Sequence, residues 1–264
     1  MRATIGLVML AALAGCQPAG EANNQSANVA ATIEAQPHKV TLKAADGVTV
    51  HGRYYEADSP KALILLFHQA GSSKDEYATI APRLVEAGYS ALAIDQRSGG
   101  GLYGPNETVA SDGAAMEMPE SESYLAAQKD LEAALAWGQQ QKLPIVLWGS
   151  SYSSSLIFRL AAAHPGAVKA LLAFSPGEYF DDKTLIRKAA AKVTVPVFVT
   201  STADKDEVEN GDLVFKALPK NDTSERIVPR RSVHGSSMLV ESKNPDGAAD
   251  IWQAVLAFLG KVAP

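Results

Sequence analysis

Between residues 62 and 200 the chain sets down short apolar runs at 62–67, 89–94, 145–148, 170–174 and 195–200, each separated from the next by enough residues for a helix. Unbroken apolar runs of this length suit strands buried on both faces, and the spacing between them suits right-handed crossovers between parallel neighbours. The pattern therefore predicts an α/β domain on a mostly parallel sheet with helices on both faces. Ahead of it, alternating stretches at 38–43 and 48–55 flank Ala45-Asp46-Gly47, and Asp-Gly supplies the positive-φ position of a hairpin turn. An antiparallel hairpin is thus expected to lead the sheet, and a short strand at 226–228 brings the total to about eight. Helices are expected at 77–86, ending before Gly88, at 124–137 and at 248–259.

The strand at 145–148 runs directly into Gly149-Ser150-Ser151-Tyr152-Ser153, and a helical pattern follows at once. Strand, tight turn with a central serine, then helix is how a hydrolase exposes a nucleophile: small residues two before and two after the serine let the two backbones crowd together. Of the serines in this stretch, Ser151 has glycine at minus two and falls where the strand should stop, so it is the candidate nucleophile. Ser153 stands where glycine is usual.

The leading hairpin, the βα units and the elbow after the fifth strand resemble the α/β-hydrolase superfamily, and within it the compact dienelactone-hydrolase-like members, over about residues 38 to 262. The resemblance implies a serine esterase acting on a small or accessible ester through an acyl-enzyme, with a base and an acid supporting the serine. No large lid domain is expected, since 98–121 and 177–192 are the sizeable excursions on the expected active-site side. Peptidase or acyltransferase chemistry uses the same residues, and a silent binding protein on the same fold is a further alternative.

In this superfamily the chain order is serine, acid, histidine. His38, His51 and His68 precede Ser151 and His164 ends the helix after the elbow, so His234, in Ser232-Val233-His234-Gly235-Ser236, is the candidate base. The acid is expected after the strand at 195–200. There Thr202-Ala203-Asp204 resembles the family's Gly-x-x-Asp turn, Asp206 precedes Glu207-Val208, and Glu178 lies after the preceding strand. Asp204 is favoured, with Asp206 open and Glu178 third. The resemblance places oxyanion donors on the N–H of Tyr152 and on His68-Gln69-Ala70-Gly71, at Ala70 or Gln69, with His68 as a loop anchor. Asp95 and Arg97 occupy a loop that usually braces its neighbours, while Arg97 is also a candidate for meeting a substrate carboxylate. Tyr179, Tyr103 and Phe180 are candidate pocket walls.

Gly99-Gly100-Gly101-Leu102-Tyr103-Gly104 has the form of a dinucleotide fingerprint, but its glycines do not open a helix and Pro105-Asn106 follows. With no phosphate-loop motif, no His-Glu-x-x-His and no Cys/His cluster, neither a cofactor nor a metal is expected. The 24 Lys+Arg against 29 Asp+Glu, with no basic tract, argue against a nucleic-acid partner.

At the other end, Met1-Arg2 precedes an apolar run at 5–13 and Leu13-Ala14-Gly15-Cys16, too short for a mature span and ending in a small-residue processing site. Residues 1–15 read as a secretory signal. The site resembles the lipobox of bacterial lipoproteins, which implies that Cys16, the sole cysteine, is lipidated and anchors the chain to a membrane. Gln17 in place of Asp implies the outer membrane of the cell envelope. Residues 16–37, rich in Ala, Asn, Gln and Ser without apolar period, are expected to be a flexible tether before the domain at 38–264.

Overall fold

The computed structural model of the chain describes residues 37–111 and 119–264; the expected signal segment, Cys16 and all but the end of the tether lie outside the described residues. The strands are β1 (His38–Lys43), β2 (Thr49–Tyr55), β3 (Leu63–Phe67), β4 (Ser90–Ile94), β5 (Ile145–Ser150), β6 (Ala170–Phe174), β7 (Val197–Thr200) and β8 (Glu225–Ile227). They form one sheet in the order β1-β2-β4-β3-β5-β6-β7-β8. β1 and β2 pair antiparallel around Gly47, whose φ of 90 is the turn conformation that Asp-Gly supplies. β2 is antiparallel to β4, and every later pairing is parallel.

The parallel strands are apolar on both faces because helices cover both. On one side Leu63, Leu65 and Phe67 of β3 pack with Leu131 and Leu135 of α4 (Gln128–Gln140) and with Leu156 and Ile157 of α5 (Tyr152–Ala163). On the other, Ile64 and Leu66 pack with Ile80 and Leu84 of α1 (Ile80–Glu86) and with Ile251, Val255 and Phe258 of α8 (Ala248–Val262). Each such buried side chain contributes roughly 1.5–3 kcal/mol, so the period-two alternation fixes the register of the sheet between its helical layers.

Two expected helices differ in detail. The helix expected at 77–86 is a 3-10 turn, Lys74–Tyr77, capped by Ser73 and followed by α1. The helix expected at 124–137 is two: α3 (Glu120–Ala126) and α4. The chain tightens at Ala127, whose carbonyl accepts from the N–H groups of both Asp130 (2.9 Å) and Leu131 (3.2 Å), and α4 restarts with Asp130 turned inward onto Arg97. Between β4 and α3, α2 (Glu107–Ser111) is a five-residue helix after the glycine-rich loop. The remaining helices, α6 (Leu185–Ala190) and α7 (Lys205–Lys216), follow β6 and β7. Because β3 to β7 run parallel, the loops that leave their carboxyl ends gather along one edge, the usual place for a site in an open α/β sheet.

Candidate active site

The turn from β5 into α5 forces Ser151 into φ 58, ψ −129, a region that costs a non-glycine residue about 1–3 kcal/mol. Two neighbours make this possible. A Cβ on Gly149 would lie 2.4 Å from Cα of Ser154, so only glycine lets strand and helix approach. Ser153 fits where glycine is usual because its hydroxyl is useful there: Oγ lies 2.7 Å from the Phe67 carbonyl and 2.8 Å from that of Ser150, and accepts the Ser150 N–H at 3.0 Å. The departure from glycine thus ties the elbow to the end of β3.

His234 Nε2 lies 2.8 Å from Ser151 Oγ, and His234 Nδ1 lies 2.7 Å from Glu207 Oε1. A carboxylate only accepts, so Nδ1 carries the proton and Nε2 faces the serine hydroxyl as an acceptor. Gly235 lets the histidine loop descend onto the elbow: its φ is 65, and a Cβ there would meet Ser150 Oγ at 2.4 Å. Trp148 Nε1 donates to Ser236 Oγ at 2.9 Å and holds the loop down.

The carboxylate facing His234 is therefore that of Glu207, and the expectation of Asp204 or Asp206 is corrected. Asp204 is the N-cap position of α7, its carboxylate accepting from Thr202 Oγ1 at 3.2 Å, and Asp206 in the first turn is exposed. Glu207 is one residue further on. Helical side chains lean toward the helix N-terminus, which swings Glu207 back over the end of β7, and its extra methylene spans the gap. Its Oε2 accepts from the Thr202 N–H (2.9 Å) and from Ser175 Oγ (2.7 Å). Burial pushes this carboxyl up, but the hydrogen bonds from His234, Thr202 and Ser175 outweigh it and hold it at about 2. Glu178 is also excluded as the partner of His234, since it accepts the N–H groups of Ile186 (2.8 Å) and Arg187 (2.9 Å) at the start of α6.

His68 is fully buried and anchors its loop. Nε2 accepts the Gln96 N–H at 2.8 Å, so Nδ1 is the protonated nitrogen, and it donates to the Gln69 carbonyl at 2.7 Å. Burial pushes the imidazole down to about 4, which keeps it neutral. The same Gln69 carbonyl accepts the Ser72 N–H at 3.2 Å. In a trans peptide the N–H points opposite to the carbonyl, so these two bonds fix the direction of the Ala70 N–H. Gln69 is corrected as a donor candidate, because its N–H is committed to Glu76 Oε2 at 2.9 Å. Tyr152 opens α5, so its N–H is among those with no intrahelical acceptor.

Arg97 does not reach the site. It is 3% exposed, its guanidinium held by Asp130 (2.7 Å) and Asp46 (2.5 Å), so it is the expected brace, here between α4 and the β1–β2 turn, and the alternative of a substrate contact is corrected. Asp95 braces likewise, accepting from Lys74 Nζ (2.7 Å) and the Glu107 N–H (2.8 Å). That last bond occupies the N-terminus of α2, where a nucleotide phosphate would have to sit. Tyr179 lies beside Ser151 and Glu207, its hydroxyl donating to the Ser175 carbonyl at 2.7 Å, and burial pushes its phenol up to about 12. Phe180, expected in the pocket wall, belongs to the core.

Beside His234 opens a cleft of about 270 Å³ lined by Gln69, Leu102, Tyr103, Val233, Ser237 and Lys243. Gln69 Nε2 reaches Ser237 Oγ at 3.4 Å, and the Tyr103 hydroxyl bonds the same oxygen, so both side chains narrow the mouth. Lys243 Nζ sits 5.3 Å from the centre of the Tyr103 ring. Among the described residues this lining carries a lysine and no carboxylate.

The family described as serine aminopeptidase, S33, matches residues 58–231. No curated protein matches the chain in sequence. Among solved structures, dienelactone hydrolase from Anabaena variabilis is similar at a TM-score of 0.67 and 20% identity, covering 88% of this chain and 100% of that one. An esterase from Pyrococcus furiosus is similar at 0.63 and 17%, covering 87% and 94%. A cold-adapted esterase from an Arctic intertidal metagenomic library is similar at 0.64 and 21%, covering 88% and 96%. The eight-stranded sheet with its antiparallel lead is that of the α/β-hydrolase fold.

Proposed function

The chain belongs to the serine aminopeptidase S33 family, and from that premise we propose that it is a serine hydrolase cleaving small or accessible esters through an acyl-enzyme on Ser151. The observation that carries the reading is the hydrogen-bonded series from Ser151 through His234 to Glu207, at 2.8 and 2.7 Å, on a strained and glycine-dependent elbow. As Ser151 Oγ attacks the ester carbonyl, His234 Nε2 takes its proton, and the ionised Glu207 stabilises the imidazolium. The developing oxyanion is met by the N–H groups of Tyr152 and Ala70, each worth about 3 kcal/mol in such a role. His234 then protonates the departing alcohol, and a water activated by the same nitrogen releases the acid.

Lys243 favours an ester over the N-terminus of a peptide. An aminopeptidase must hold its substrate's α-ammonium, which calls for a carboxylate, whereas the cleft presents a cation. The test compares p-nitrophenyl acetate with alanine p-nitroanilide on the full chain and on Ser151→Ala. Ester hydrolysis that vanishes in the variant, with the anilide uncut, is the expected result; a faster anilide reaction overturns the ester reading, and undiminished hydrolysis by the variant overturns the mechanism.

The membrane anchor belongs to the same proposal: Cys16 is lipidated and the domain is tethered to the outer membrane of a bacterial envelope. Incorporation of labelled palmitate into the wild type and its loss in Cys16→Ser is the expected outcome, and equal incorporation refutes it.

A further inference from the structure

Glu76 has no part in the mechanism above, yet it is 1% exposed and lies at the junction of the loops that carry it. The 3-10 turn Lys74–Tyr77 drives its side chain inward beneath the elbow. Oε2 accepts the Gln69 N–H at 2.9 Å, and Oε1 accepts Ser150 Oγ–H at 2.6 Å. Ser150 Oγ in turn accepts the Ser236 N–H at 2.8 Å. One carboxylate thus grips the residue before Ala70, the residue before Ser151 and, through a hydroxyl, the residue two beyond His234. An ionised carboxyl is the side chain that suits this place: two donors point at it, the Gln69 N–H and the Ser150 hydroxyl, whose oxygen is left free to accept from Ser236. Burial pushes the Glu76 carboxyl up to about 7 against the pull of the hydrogen bonds from Ser150, Gln69 and Ser72, the cost of keeping such an acceptor in the interior.

We propose that Glu76 is a positioning residue for the hydrolysis: its two acceptor oxygens lock the Gln69 peptide and the Ser150 hydroxyl, and so align the Ala70 N–H and the His234 loop on Ser151. With His68 fixing the peptide that follows Gln69 and Glu76 the one that precedes it, neither can rotate without losing a buried hydrogen bond. The inference rests on the ester-hydrolase reading, and its test separates the two.

The test is kcat and KM for p-nitrophenyl acetate on the full chain, at a pH well above 7 where Glu76 is ionised, for wild type, Glu76→Gln, Ser150→Ala and the double variant, with unfolding curves to establish that each is folded. An amide in place of the carboxylate accepts one donor and turns its own NH2 on the other. Glu76→Gln is therefore expected to lower kcat about 10- to 100-fold while KM moves less than about threefold, since the loss falls on transition-state alignment. Removing the Ser150 hydroxyl removes the conflicting donor, so the double variant is expected to recover at least about threefold in kcat over Glu76→Gln alone, a coupling that general destabilisation does not produce. An active wild type whose Glu76→Gln variant keeps kcat within twofold overturns the positioning role, as do losses that simply multiply in the double variant. A folded wild type that neither hydrolyses the ester nor reacts with a fluorophosphonate overturns the hydrolase reading itself.

Discussion

Replacing Glu207 by glutamine separates charge and proton placement from shape. Three donors converge on the native carboxylate: His234 Nδ1–H on Oε1, and the Thr202 N–H and Ser175 Oγ–H on Oε2. An amide has one oxygen, and the two donors at the Oε2 position outvote the single one at Oε1. The amide is thus expected to turn its oxygen to Thr202 and Ser175 and its NH2 to His234. Nδ1 must then accept, the ring proton moves to Nε2, and His234 presents a donor to Ser151 where an acceptor is needed. The corresponding loss in the general serine-histidine-carboxylate scheme is about 10⁴ in kcat, or about 5 kcal/mol. Asp204→Asn and Asp206→Asn leave these bonds untouched and are expected to stay within about twofold of wild type. The assay is steady-state hydrolysis of p-nitrophenyl acetate with all variants at one pH. A Glu207→Gln enzyme within tenfold of wild type, or an Asp206→Asn enzyme as impaired as it, refutes the assignment.

Gly149→Ala places a Cβ 2.4 Å from the backbone of Ser154, where no flexible group can yield, so an unfolding free energy lower by at least about 3 kcal/mol is expected in urea titration; near-native stability contradicts the close approach at the elbow. Glu76 makes stability fall with rising pH: its folded value of about 7 exceeds the ordinary glutamate value of 4.5, so between them the folded state holds a proton the unfolded state has released. That amounts to roughly 3 kcal/mol lost from pH 4.5 to 7, and the wild type should lose that much relative to Glu76→Gln between pH 4.5 and 8, whereas a constant difference refutes the buried titration. Lys243→Glu is expected to raise kcat/KM several-fold for amino-acid esters bearing a free α-ammonium while leaving p-nitrophenyl acetate within about twofold; no change in that ratio shows that Lys243 does not read substrate charge.

Much of this was legible from pattern. Apolar runs of strand length gave the sheet, since strands covered on both faces need little but hydrophobicity, and Asp46-Gly47 marked the leading hairpin because few other pairs tolerate its turn. Ser151 could be picked out because a backbone constraint left a trace beside it, Gly149, a glycine that steric contact requires, and His234 because chain order left no other histidine, with Gly235 beside it answering a similar contact. The carboxylate was harder. Asp204, Asp206 and Glu207 are three acids within four residues at one helix start, and which one turns back over β7 depends on helical phase and side-chain length, which neighbouring residues do not encode. The bracing role of Arg97 was legible but its partners were not: Asp46 and Asp130 lie 51 and 33 residues away and are joined to it only by the fold. Glu76 lies in a run of polar residues, and nothing local in Ser73-Lys74-Asp75-Glu76 says which side chain turns inward.

The most direct measurement is reaction of the full chain with a fluorophosphonate, followed by mass spectrometry to locate the modified residue. A single adduct on Ser151, formed by the wild type and absent in His234→Ala, is the expected result. An adduct on Ser150 or Ser153, or a folded wild-type chain that forms none, contradicts the hydrolase built on Ser151, His234 and Glu207.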